Sequence, residues 1–464
     1  MARHLIRSTL GVLTAAALSA CSMIPTYERP AAPVPAAFPA GGATSATQAA
    51  SDIDWRAYFG DARLKALIEL SLQNNRDLRV AIATIEQARA QYGVRRADEL
   101  PSVGAGISAS RTPTATGPVR SYTAGVQVTA FELDFFGRVR SLSQVALEQY
   151  LGTEEARKTV QISLIAGVAN GYLALRADDE LLTLTQRTVA TREESMRLTK
   201  LRFDNGAASE LDFRQAESLL EGARATLAQL QRQRAQDENA LALLLGAPLP
   251  ADLPAGLALD NAQLLAELPA GVPSEVLTRR PDVLQAERTL RASNANIGAA
   301  RAAFFPRISL TGSAGVASST LGDLFKGGNF VWTFAPQLLQ PIFDAGRNQA
   351  GLDSARAGRD IAVAQYEKAI QSAFREVADA LAGRATLGEQ LRAQRAQANA
   401  EQVRFNLADL RYRNGAASYL DVLDAQRSLF TAQQAALQVQ AAQVQNLVTL
   451  YKVLGGGWKE PVAN

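Results

Sequence analysis

The chain has 464 residues, with 48 Lys and Arg against 45 Asp and Glu, a single His and a single Cys. Charges of both signs are scattered, so there is no basic face of the kind nucleic acid requires. His4 is the only histidine and Cys21 the only cysteine, which excludes Cys/His or Ser/His nucleophilic catalysis and a His/Cys zinc site in a chain processed at Cys21.

Met1 to Ala20 carries Arg3 and Arg7, then an apolar run from Leu10 to Leu18, then Ser19-Ala20-Cys21. This is an export signal over 1–20 whose apolar core is too short to span a bilayer. The junction resembles a bacterial lipobox, which implies a covalent lipid on Cys21 and no other cofactor. Ser22 in the next position fits sorting to the outer membrane. Without Arg3 and Arg7 the balance is 46 basic to 45 acidic residues. Residues 21–52, rich in Pro, Ala and Gly, read as an extended tether.

A first repeat is expected over 53–274. It opens with helices at Trp55–Leu72 and Asp77–Glu99, the second stopping before Pro101. Apolar residues then alternate: Val103, Ala105, Ile107 and Ala109, and after a Pro/Gly loop Tyr122, Ala124, Val126, Val128 and Ala130. Period two predicts strands at about 102–112 and 120–132, each near the length a tilted membrane strand needs. No proline occurs between Pro118 and Pro248, and the run is rich in Ala, Leu, Gln, Glu and Arg, so long helices are predicted at about 137–203 and 208–245. A proline-rich equatorial segment at 246–274 closes the repeat.

The second repeat, 275–464, copies the first. A shift of 205 residues brings Asp77 onto Asp282 and Pro101 onto Pro306, and one of 209 brings Leu201–Glu217 onto Leu410–Gln426, where ten of 17 residues are identical. The expected elements are a helix at 281–303, strands at 307–317 and 329–341, long helices at 345–411 and 417–454, and an equatorial tail. Leu423, Phe430, Leu437, Val444 and Tyr451 recur every seven residues, which predicts lateral coiled-coil packing.

Four strands cannot close a barrel, and an open sheet edge is not tolerated in lipid, so the chain must oligomerise. Gln390, Arg392, Gln394, Gln397 and Gln402 surround narrow apolar seams, as in a wall one helix thick with water on both sides.

Phe131–Arg138, Arg279–Asp282, Ala302–Pro306, Pro341–Asp344 and the two Asn-Gly turns together resemble the outer membrane factor family of TolC- and OprM-like channels, over about Trp55 to Trp458. The resemblance implies an α+β membrane protein, internally duplicated. It further implies a homotrimer whose twelve-stranded transmembrane β-barrel, four strands per chain, continues into a long periplasmic α-helical barrel with a mixed equatorial domain. The implied partners are a periplasmic adaptor (membrane fusion protein), an inner-membrane pump of the resistance-nodulation-division class and outer-membrane lipid, with no nucleic acid and no metal.

By the same resemblance Leu420, Asp421, Asp424 and Arg427 form a periplasmic gate, and Asp212 and Tyr412 a closed-state link. Ala417 stands where TolC has an arginine, so a second TolC link is not carried over. The tips Asn205, Gly206, Ala207, Ala208, Ser209 and Asn414, Gly415, Ala416, Ala417, Ser418 are flat enough to receive an adaptor. The expected function is an efflux duct for drugs or other amphiphiles, without enzyme activity. Type I protein secretion is the alternative on the same architecture, and a pore-free periplasmic scaffold is a third reading that would have no use for the four alternating segments.

Overall fold

A computed structural model describes residues 22–38, 52–115, 117–261, 265, 268 and 274–458. Cys21 lies outside them. The elements in order are α1 (Trp55–Tyr58), α2 (Ala62–Asn74), α3 (Arg76–Ala97), β1 (Val103–Thr112), β2 (Val119–Glu132), α4 (Arg138–Asp204), α5 (Glu210–Leu245), α6 (Pro281–Ala302), β3 (Arg307–Ser318), β4 (Phe330–Leu339), α7 (Arg347–Arg413) and α8 (Tyr419–Val453). Both α4 and α7 have 67 residues, about 100 Å of helix each. The chain divides into two compact units: Met1–Ala32, Ile82–Ala156 and Asp282–Ala369 form one, and Pro33–Ala81, Arg157–Pro281 and Ile370–Asn464 the other.

The first unit holds an antiparallel sheet in the order β1-β2-β3-β4. Its register aligns Val103 with Val128, Val126 with Ala314 and Ala314 with Trp332. Because side chains alternate along a strand, this places Val103, Ala105, Ile107, Val126, Trp332 and Phe334 on one face. Ser108, Thr123, Gln127, Ser313 and Thr333 share the other. Trp332, Phe334 and Ile107 are 69%, 63% and 78% exposed, an apolar belt suited to lipid. Opposite each other on β2 and β3, Gly125 and Gly315 admit no side chain: a Cβ on Gly125 would lie 2.4 Å from the Ala314 carbonyl oxygen. A bulge between Val128 and Phe131, with Ala130 at φ 51°, ends the regular ladder.

Beyond the bulge the Phe131–Arg138 motif becomes a joint between strand and helix. Glu132 accepts both Nε and Nη2 of Arg138 at 2.8 and 2.6 Å and pairs with Arg307 at 2.7 Å, while Phe136 stacks on Phe305 at 4.7 Å. In the second repeat Asp344 does the corresponding work by accepting the Gly346 and Asn348 amides, each at 2.9 Å.

The described part of the expected tether is docked rather than loose. Arg301 donates to the Met23 carbonyl, Asn294 to that of Pro25, and Glu287 accepts Tyr27 and Arg29, so residues 23–29 run antiparallel along α6. Gly298 makes room for Ile24, since a Cβ there would lie 2.6 Å from the Ile24 side chain. Composition alone cannot show this, because the anchoring groups lie some 260 residues away.

In the second unit, the helix expected at Trp55–Leu72 is two helices. Asp54 and Asp61 each cap a new start, and Phe59 between them is extended. Trp55, Tyr58, Phe59, Leu64, Leu67 and Ile68 are buried, and Tyr58 stacks on Tyr451 at 4.1 Å. The hydroxyl of Tyr451 donates to the Ile53 carbonyl, and Tyr172 donates to Asp61 at 2.9 Å. Preceding α6, Arg280 reaches Glu376 of α7 at 2.8 Å and the Val453 carbonyl of α8 at 2.9 Å.

Candidate functional site

Both tips are built by one local code. At the first, Gly206 takes φ 72°, its amide bonds the Phe203 carbonyl and the Ala207 amide bonds that of Arg202. At the second, Gly415 takes φ 70°, with bonds to Tyr412 and from Ala416 to Arg411. This is the left-handed glycine termination of a helix, and Asn205 and Asn414 reinforce it by donating to Leu201 and Leu410. The return helices open with capping boxes, Ser209 with Asp212 and Ser418 with Asp421. Ala207 and Ala416 are exposed, whereas Ala208 and Ala417 are half-buried.

The two hairpins pack together just behind these turns. Ala216, Tyr419, Val422 and Leu423 are buried, with Met196, Leu219, Phe405, Ala408 and Tyr412 against them, so α4, α5, α7 and α8 all contribute. Arg202 of α4 donates to the Tyr412 hydroxyl of α7 and lies 5.1 Å from the centre of that ring. Within the single chain Tyr412 is bonded by Arg202 rather than by Asp212. Asp212, as the third residue of a capped helix, is turned back to accept the Ser209 hydroxyl at 2.7 Å.

Of the residues expected at the gate, Leu420 is 53% exposed and Asp424 sits in an arginine clasp. Arg404 of α7 and Arg427, one turn further along α8, both donate to the Asp424 carboxylate, the latter at 2.5 Å. Hydrogen bonding by Arg404 holds the Asp424 carboxyl below the usual carboxylate range, against the opposing effect of partial burial. Asp421 points back to Ser418, accepting its amide and hydroxyl at 3.1 Å. Asp424 and Arg427 are thus brought together, Leu420 stands exposed one turn before Asp424, and Asp421 serves the cap. Arg404 and Arg202 escaped sequence reasoning because their partners lie on other helices, at no helical spacing.

Among the described residues no cluster of three His, Cys, Asp or Glu side chains could hold a metal.

Comparison with known proteins gives a consistent result. The family model "Outer membrane efflux protein" matches residues 67–247 and 272–456, one match in each repeat. The toluene efflux pump outer membrane protein TtgC of Pseudomonas putida is 51% identical over 460 residues, 97% of this chain and 95% of that protein. The antibiotic efflux pump outer membrane protein ArpC, also of Pseudomonas putida, has the same identity and coverage. Among solved structures, the open state of the Neisseria gonorrhoeae MtrE outer membrane channel is 44% identical with a TM-score of 0.87, covering 95% of this chain and 99% of that one.

Proposed function

Since this chain belongs to the outer membrane efflux protein family, and is the outer-membrane channel of an efflux pump rather than an enzyme, we propose that three copies form a lipid-anchored duct opened at its periplasmic tip. The observation that carries the reading is the four-stranded sheet with one apolar face and two unpaired edges, β1 and β4. Lipid does not tolerate open edges, so β4 of one copy pairs with β1 of the next, and three copies give twelve strands. The long helices continue the tube into the periplasm.

At the tip, Leu420 and Asp424 form the narrowest ring, with Arg427 and Arg404 fixing the carboxylate. The exposed Ala207 and Ala416, with Asn205, Gly206, Ser209, Asn414, Gly415 and Ser418, form the surface on which a periplasmic adaptor docks. That adaptor links the duct to an inner-membrane pump of the resistance-nodulation-division class. Cys21 carries the lipid. Support comes from the strap, whose antiparallel course along α6 leaves Met23 beside Arg301, six residues before β3 begins. The cargo is antibiotics or apolar solvents, the classes named for the similar pumps.

Deleting the gene in its native host, while following fluorescent amphiphiles and secreted proteins together, tests this. Efflux requires dye accumulation with an unchanged secretome. Loss of a secreted protein with indifferent dyes would overturn efflux in favour of secretion.

A further inference from the structure

Arg192 of α4 lies about three turns before the first tip and is 6% exposed. No carboxylate among the described residues pairs with it. Its Nη1 donates to the Leu219 carbonyl of α5 at 2.8 Å, its guanidinium lies 5.2 Å from the centre of the Phe430 ring of α8, and its Nε is buried without an acceptor. The adjacent acids and the one two residues before Leu219 are engaged elsewhere: Glu193 with Arg224 at 2.8 Å, Glu194 with Arg197 at 2.7 Å, and Glu217 of α5 with Arg214 at 2.9 Å. On α8, Asp424 is held by Arg404 and Arg427. Nearby packing is apolar, from Val189, Leu220 and Ala223 with Met196 and Leu227.

The contacts of Arg192 respond differently when the hairpins part. Leu219 belongs to the same hairpin as Arg192, so that bond survives. Phe430 belongs to the other hairpin, and its departure exchanges a cation–π contact for water on the guanidinium, Nε included. Keeping an unpaired ion dry costs more than a cation–π contact returns. We propose that Arg192 biases the two hairpins towards separation: a charge covered by α8 in the packed state and hydrated when α8 moves away, which makes the tip easier to open. The proposal rests on the reading of the tip as the gate.

Purified full-length trimers in planar bilayers test it, with Arg192→Met, Arg192→Lys and the control Asp424→Ala, which loosens the tip directly. The expected results are a severalfold lower mean conductance for R192M with a higher urea midpoint for the trimer, near wild-type conductance for R192K, and a higher conductance for D424A. If R192M raises conductance as D424A does, Arg192 is a latch and the proposal is overturned. Unchanged conductance in R192M beside a raised one in D424A overturns it too, and leaves the gate in place. No effect of D424A would remove the gate itself, and the proposal with it. Should R192M not assemble, R192Q removes the charge while keeping a donor and is read in the same way.

Discussion

Asp424 of α8 is hydrogen-bonded to Arg404 of α7, joining the two arms of the second hairpin across 20 residues of sequence. To the Asp424 and Arg427 expected from sequence the structure adds Arg404, so the carboxylate is clasped by two arginines. In the proposed gate, opening moves the arms that carry them.

Asp424→Ala and Arg404→Ala should each raise single-channel conductance severalfold, because either removes the tie between α7 and α8. The pH dependence follows from the direction of the shift. A carboxyl held below its ordinary pKa of about 4 contributes fully above that value and loses its contribution only as pH falls through the lower, folded-state value. Conductance should accordingly be flat from about pH 5 to 8, as bilayer recordings would show.

A different acid titrates in that range. Asp178 is 7% exposed, and burial, with Asp237 beside it and then Asp179, pushes its carboxyl up to about 7 against the opposing pull of Arg234. An acid raised in the folded state contributes stability at low pH and loses it as pH rises towards the raised value. Asp178→Asn, which imitates the protonated form, should raise the urea midpoint most at pH 8, by less at pH 5, where the carboxyl of the unfolded chain is already ionised, and little only below about pH 4.

Glu287 accepts Tyr27 at 3.0 Å, Arg29 at 2.8 Å and Arg291 at 2.9 Å, and its side chain is only 4% exposed. Glu287→Ala should release the strap at a cost of about 1–3 kcal/mol, since Arg29 is half in water already and recovers part of its hydration. Chymotrypsin cleavage after Tyr27 should become rapid in the variant and stay slow in the parent.

On the proposed docking surface Ala207 and Ala416 are exposed, so large side chains fit there without disturbing the hairpins. Ala207→Trp with Ala416→Trp should abolish efflux and leave trimer yield unchanged. Ala208→Trp or Ala417→Trp should lower trimer stability as well, because those side chains are half-buried. Drug susceptibility alongside trimer yield in detergent separates the two cases.

Local and periodic features were legible in the chain itself. Alternation over Val103–Ala109 and Ile308–Val316, the proline-free runs, the Asn-Gly breaks and the duplication around Leu201 and Leu410 all act within one element, so strands, long helices and hairpin tips follow from them. Partnerships between elements needed the tertiary structure. The pairing of Arg202 with Tyr412, the Arg404 clasp on Asp424, the buried charge of Arg192 and the docking of residues 23–29 on α6 join groups from 20 to about 280 positions apart. No spacing rule reaches that far: which charge meets which is set by how the helices cross, and that is decided only when their apolar seams are packed together.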